Sequence, residues 1–155
     1  MKWVLSSSRN ALLQEFHLVH NGECEVILKY NPIHHSARIS YGDIHRLFFL
    51  ESTGTSNGKI VFKNEYGMET GMLSFDRWHN NQGTIVIDKK KYHYEIQKNP
   101  QSELIIFENN AVFPMVKVEN PDGNISPIDH NCLLFGLCWY LFLNIKNRNS
   151  VEHAA

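Results

Sequence analysis

From Trp3 to Glu119 the chain runs through short segments of alternating apolar and polar residues, separated by turn residues; from Cys132 to Ile145 the alternation stops. A period of two marks strands with one buried face, whereas a run apolar on every side marks a buried helix or a membrane span. The pattern predicts strands at Trp3–Leu5, Glu25–Tyr30, Ala37–Tyr41, Lys59–Lys63, Met68–Phe75, Thr84–Asp88, Lys91–Gln97, Glu103–Glu108 and Ala111–Glu119. Leu12–His20 fits a short helix or a strand equally well. Arg46–Glu51 (R-L-F-F-L-E) is almost continuously apolar, as in a strand buried on both faces.

Turn chemistry separates these segments. Asn57-Gly58, Lys89-Lys90 and Asn109-Asn110 are placed as hairpin tips, Asn21-Gly22-Glu23 and Tyr41-Gly42-Asp43 as turns, and Pro121-Asp122-Gly123-Asn124 as the last turn before the helix. Gly71 inside a strand predicts a bulge or a close backbone approach, and Pro114 places its strand at an edge or bulge.

The run C-L-L-F-G-L-C-W-Y-L-F-L-N-I would rise roughly 20 Å as a helix. A bilayer core needs about 30 Å, so the run is expected to be a core helix of about residues 127–146. Ser126 as N-cap, Pro127 at the first helical position and Asp129 at the third give it a start, and Lys146 and Arg148 suit its end. The expected fold is all-β with one C-terminal helix: an antiparallel barrel of about 9–12 strands around a central hydrophobic helix. One domain over 1–148 is expected, with 149–155 as a disordered tail.

Composition narrows the function classes. The chain has 155 residues, 43% hydrophobic and 20% charged, enough for a single packed core. A formal net charge of −1 lacks the basic excess of a nucleic-acid module. Three cysteines without metal-type spacing argue against a disulfide framework. The N-terminal apolar stretch is too short for a signal peptide, so a cytoplasmic location with peripheral membrane association as its variant is expected.

The strand succession followed by L-L-F-G-L-C-W-Y-L-F-L resembles the tubby C-terminal-like superfamily, which includes the phospholipid-scramblase and LURP-one-related domains. The stretches R-L-F-F-L-E, K-I-V-F-K-N-E-Y-G-M-E-T-G-M-L and G-T-I-V-I-D-K-K-K-Y-H-Y-E-I resemble small bacterial proteins of this type. The resemblance covers most of the chain and implies a closed, roughly twelve-stranded barrel threaded by its C-terminal helix. With fewer strands counted, a smaller or partly open barrel is expected. The family's phosphoinositide pocket, Cys-rich segment and calcium loop find no counterpart, so no functional residue is carried over.

Candidate chemistry is sparse. Nine histidines are present, but no H-x-x-x-H, H-E-x-x-H or C-x-x-C, so no metal site is expected. Lys89, Lys90 and Lys91 are a candidate anionic-lipid contact, three lysines against the 4–8 usual for lipid recognition. Arg77, Trp78 and His79, beside Asp76, form a candidate surface ligand loop, with the alternative that a partly buried Trp78 only anchors the loop. Glu65 and Glu69 could pair as glycosidase carboxylates do, though a turn into a bulged strand explains them better. No nucleophile elbow, P-loop or dinucleotide fingerprint appears. The sequence therefore points to a non-catalytic binding or interaction module without a cofactor, its partner a protein or an anionic lipid. A weak anionic-lipid or phosphoinositide binder and a hollow, lipocalin-like carrier or enzyme are the rivals.

Overall fold

The computed structural model describes residues 1–7, 12–53, 58–76, 78–79, 81–98, 101–120 and 127–154; the side chains of 120, 127–130 and 147–154 are outside that description. Among the described residues, eleven strands and one helix follow in order: β1 (Lys2–Leu5), β2 (Gln14–His20), β3 (Glu23–Asn31), β4 (Ser36–Tyr41), β5 (Ile44–Thr53), β6 (Lys59–Asn64), β7 (Glu69–Phe75), β8 (Gln82–Ile87), β9 (Lys90–Lys98), β10 (Ser102–Glu108), β11 (Val116–Asn120) and α1 (Pro127–Ala154). Each strand from β2 to β11 pairs with its sequence neighbours, and β1 closes the barrel between β2 and β11. The β1–β11 contact is parallel, Lys2 opposite Glu119; every other pairing is antiparallel. The barrel is thus fully closed, which leaves no free edge to cap.

Alternation decides which side chains fill it. Phe16 and Leu18, Leu28 and Tyr30, Ala37 and Ile39, Ile85 and Ile87, Tyr92 and Tyr94, and Leu104 and Ile106 are buried pairs two residues apart on successive strands. Leu12–His20 resolves in favour of a strand because Phe16 and Leu18 point inward on that spacing. Arg46–Glu51 is corrected: Phe48 and Leu50 face the core, while Phe49 between them is 37% exposed, so this strand has one buried face. The last strand begins at Val116, after Pro114, which therefore stands outside the ladder it could not donate to.

The interior is occupied by α1. Asn131 through Cys138 are buried without interruption, and Leu134 and Leu137 are fully enclosed. Phe135 stacks on Phe62 of β6 at 3.8 Å between centroids and meets Phe48 of β5 edge-on at 4.8 Å. On other sides of the helix, Leu28 of β3 and Trp3 of β1 approach Gly136, and Tyr140 meets Tyr41 of β4 edge-on at 5.0 Å. Contacts from strands around the wall explain why the run is apolar on every side. The helix starts at Pro127, where its fixed φ suits the first turn; Ser126, the expected N-cap, is outside the described residues. Its backbone continues to Ala154, past the expected end near 146 and through the segment read as a tail.

Two glycines let the wall close tightly. At Gly71 the β6–β7 register shifts, with Phe62 opposite Gly71 but Lys63 opposite Glu69, so Thr70 is the extra residue of a bulge. A side chain at Gly71 would strike the Val86 carbonyl, and one at Gly83 would strike the Ser74 carbonyl and the Tyr94 ring.

Candidate functional site

Antiparallel neighbours put successive hairpin turns at alternate ends of the barrel. The β2–β3, β4–β5, β6–β7, β8–β9 and β10–β11 turns share one end, and α1 leaves through that same mouth. There the helix presents Trp139, Phe142, Leu143 and Lys146, spaced i, i+3, i+4, i+7 and hence on one face. Facing them are Ile44 and Arg46 at the start of β5, Glu69 to Met72 at the start of β7, and Val86, Asp88 and Lys89 at the β8–β9 turn. Together they enclose a cleft of about 650 Å³.

Each wall has a local cause. Arg46 pairs with Ile39 across β4 and β5 and so lies on the inward face, which only the rim lets a guanidinium occupy. The β7 wall is set by the bulge at Thr70, whose hydroxyl donates to the Phe62 carbonyl at 3.2 Å. The turn is Asp88-Lys89, both with positive φ (45° and 66°), not Lys89-Lys90: Ile87 pairs with Lys90. An aspartate tolerates the left-handed region better than a lysine does, which moves the turn one residue toward Asp88.

This register separates the three lysines. Lys89 lines the cleft; Lys90, opposite Ile87, is at the inward rim; Lys91, opposite Val86, faces out. The side chains of Lys90 and Lys91 therefore turn to opposite faces of β9. Among the described residues, neither Arg46, Lys89 nor Lys146 has an ion-pair partner, and Lys146 Nζ lies 5.8 Å from the centroid of the Phe142 ring. Glu69 acts on Lys63, whose ammonium is held above its ordinary range chiefly by donating to Glu51 Oε2 at 2.6 Å. Trp139 Nε1 is buried without an acceptor among the described residues.

The opposite mouth carries the Trp78 loop. Trp78 is 88% exposed, so the alternative of a partly buried anchor is overturned. Its N–H donates to Asp76 Oδ1 at 2.8 Å, and His79 Nδ1 lies 3.6 Å from Asp76 Oδ2. The bond from Trp78 first, then the His79 charge, holds the Asp76 carboxyl below its usual range. Arg77 lies outside the described residues. Beside the loop, Ser74, Asp76, Gln82, Thr84, His93 and Glu95 line a smaller depression of about 370 Å³.

The remaining polar groups do not converge. His17 bonds Glu15 at 2.7 Å, and Lys29 reaches the same carboxylate at 3.1 Å, on the outer face of β2 and β3. Tyr140 donates to Glu25 at 3.4 Å, tying the helix to the rim of β3. Glu65 and Glu69 flank the β6–β7 turn, both exposed, and Asn64 Oδ1 holds that turn by accepting from Tyr66 and Met68 at 3.0 Å each. Burial pushes the Cys138 thiol well up; burial, then Glu15 and Glu25, push up that of Cys24. Among the described residues, no group of three or more His, Cys, Asp or Glu side chains is arranged to hold a metal ion, and no helix is long and apolar enough to cross a membrane.

Sequence reading missed the cleft, whose residues come from β5, β7, β8 with its following turn, and α1. Two signals bore on it: an apolar helical stripe ending in Lys146, and an arginine at an inward strand position. No protein-family model, no curated protein and no solved structure matches the chain.

Proposed function

We propose that this protein is a non-catalytic binding module and that its ligand seat is the cleft where the helix leaves the barrel. One observation carries this: the barrel interior is filled by α1, and at its exit mouth a cleft of about 650 Å³ joins apolar core side chains to charged rim residues. That volume is within the roughly 300–1,000 Å³ usual for ligand sites. The packed interior weighs against a hollow carrier. The raised thiols weigh against cysteine chemistry, because the thiolate is the nucleophile. A barrel threaded by its C-terminal helix is also what the tubby-like resemblance implies, and membership of that superfamily is part of the proposal. The test is a thermal-shift screen of small ligands on the wild type and on Leu143→Trp and Ile44→Trp, which fill the cleft from the helix and from the inward face of β5. Ligands that stabilise the wild type and neither variant support the assignment. Ligands that stabilise all three equally place the seat elsewhere and defeat it.

A second reading, contact with an anionic lipid surface, draws on the same mouth. Tyr66 and Met68 on the β6–β7 turn and Val112 and Phe113 after β10 stand exposed at the end that carries Lys89. Each lysine near an anionic surface contributes about 1 kcal/mol, so vesicle binding is expected to be weak, to fade with salt, and to be lost when Lys89, Lys90 and Lys91 are changed to Ala. Tight binding that survives both treatments would refute this version.

A further inference from the structure

We propose that the exit-mouth cleft takes an amphiphilic anion, its carboxylate or phosphate head between Arg46, Lys89 and Lys146 and its apolar tail on Trp139, Phe142 and Leu143. This rests on reading the cleft as the ligand seat and adds the class of ligand.

The order of residues along the helix carries it. Moving outward, the face that lines the cleft reads Trp139, then Phe142 and Leu143, then Lys146. The apolar side chains are half-buried or buried among the core, and the ammonium comes one turn later, at the rim. Arg46 and Lys89 join it from β5 and the β8–β9 turn. The site is thus graded from apolar inside to cationic outside, which complements a molecule with an oily body and an acidic end.

The sign of the charge follows from the lining itself. Two carboxylates also line the cleft, Glu69 and Asp88. Glu69 stands opposite Lys63 in the β6–β7 ladder, at the edge of the cleft. Three cations, none of them ion-paired among the described residues, thus face two carboxylates, and the lining keeps a net positive charge. The negative end of the α1 dipole does not reverse the sign. The helix continues to Ala154, about 12 Å past Lys146, and dipole effects fade within the last turn. An arginine with a free guanidinium suits a two-oxygen head, because its N–H groups form a planar fork.

The experiment titrates the full chain with hexanoate, octanoate and decanoate as monomers, with octyl phosphate, and with octyltrimethylammonium as the opposite charge, following tryptophan fluorescence and calorimetry. Saturable one-to-one binding of the anions is expected, tightening by up to about fourfold per added methylene from burial of the tail. The Arg46→Gln, Lys146→Gln double variant should bind at least tenfold more weakly with an unchanged melting curve. Should that variant fail to fold, Lys89→Gln at the exposed turn must weaken binding by itself. Equal affinity for octyltrimethylammonium, or full affinity in a folded charge variant, overturns the proposal. If octyltrimethylammonium binds as well as the anions and Leu143→Trp abolishes its binding, the ligand class is wrong while the cleft remains the seat. If no probe shows Leu143-dependent binding, both fail. Co-sedimentation with phosphatidylglycerol vesicles that decanoate competes away would identify the anion as a lipid headgroup; decanoate binding without co-sedimentation would identify a free amphiphile.

Discussion

Removing the ring of Phe135 is the sharpest test of a helix enclosed by a closed wall. Phe135 is fully buried, stacked on Phe62 at 3.8 Å and edge-on to Phe48 at 4.8 Å, with Trp139 at 6.3 Å on its own helix. Phe→Ala changes in cores cost about 3–5 kcal/mol, more where the surroundings cannot collapse into the space. Here they cannot readily do so, because the ladder runs unbroken around the barrel and fixes each strand between two others. Losing two aromatic contacts of about 0.5–1.5 kcal/mol each pushes in the same direction. A loss near 4 kcal/mol is therefore expected, a large part of the roughly 5–15 kcal/mol typical of a domain. It would lower the melting temperature by about 8–16 °C for a chain of this size. The assay is urea unfolding followed by fluorescence and circular dichroism, with Trp78→Ala, at an 88% exposed site, as a control expected to change stability by no more than about 0.5 kcal/mol. A folded Phe135→Ala protein that loses less than about 1 kcal/mol with an unchanged denaturant slope would refute enclosure of the ring.

Leu137→Asp should leave the chain unfolded, because an unpaired carboxylate at a fully buried position costs several kcal/mol or forces its own protonation; a soluble variant that melts cooperatively would contradict this. Gly83→Ala should cost about 1–3 kcal/mol in a denaturant titration, since the new methyl meets a backbone oxygen and the enclosed Tyr94 ring, and an unchanged midpoint would show that β8 can shift outward. Glu15 is held below the ordinary carboxylate range by its bonds to His17 and Lys29, so its contribution is present above the unfolded value and is lost as pH falls through the folded one. Glu15→Gln should accordingly flatten the acid limb of the stability curve, and a constant gap between variant and wild type from neutral pH to about pH 3 would rule that out.

The strand succession was legible because inward positions recur every second residue and are apolar almost without exception. The same rule failed at R-L-F-F-L-E, where Phe49 is apolar yet turned outward, for an exposed aromatic carries no mark of its direction in sequence. It was silent at Leu12–His20 until Phe16 and Leu18 were seen to point the same way. The β8–β9 turn was displaced by one residue because both Asp88-Lys89 and Lys89-Lys90 can be written as two-residue tips, and only pairing decides. A slip of one residue exchanges the faces of Lys90 and Lys91, so which of the two turns toward the rim is fixed by the pairing and not by local sequence. The cleft was out of reach for a similar reason. Arg46, Thr70, Lys89 and Lys146 come together only after the barrel closes and the helix threads it.

A barrel plugged by its own helix restricts where binding chemistry can reside. The inward faces of its strands are committed to α1, and the backbone groups are committed to the ladder. What remains is the outer wall, the loops and the two mouths. At the outer wall, Glu15, His17 and Lys29, and likewise Glu51 and Lys63, satisfy one another on neighbouring strands. The Trp78 mouth offers an exposed ring, but its Asp76 carboxylate is already engaged by Trp78 and His79. Only at the exit mouth do buried apolar side chains of the helix meet cations without ion-pair partners among the described residues. That juxtaposition is a consequence of the helix leaving the barrel: its apolar stripe cannot stop at the rim without leaving Trp139 and Leu143 only half-buried beside the charged turns. A ligand covering that boundary would bury the stripe and bring a counter-charge to the rim together, so binding there should also stabilise the fold, by about 2.7 kcal/mol at one hundred times the dissociation constant. The same anion that saturates the fluorescence change should therefore raise the melting temperature of the wild type, and should fail to raise that of Leu143→Trp.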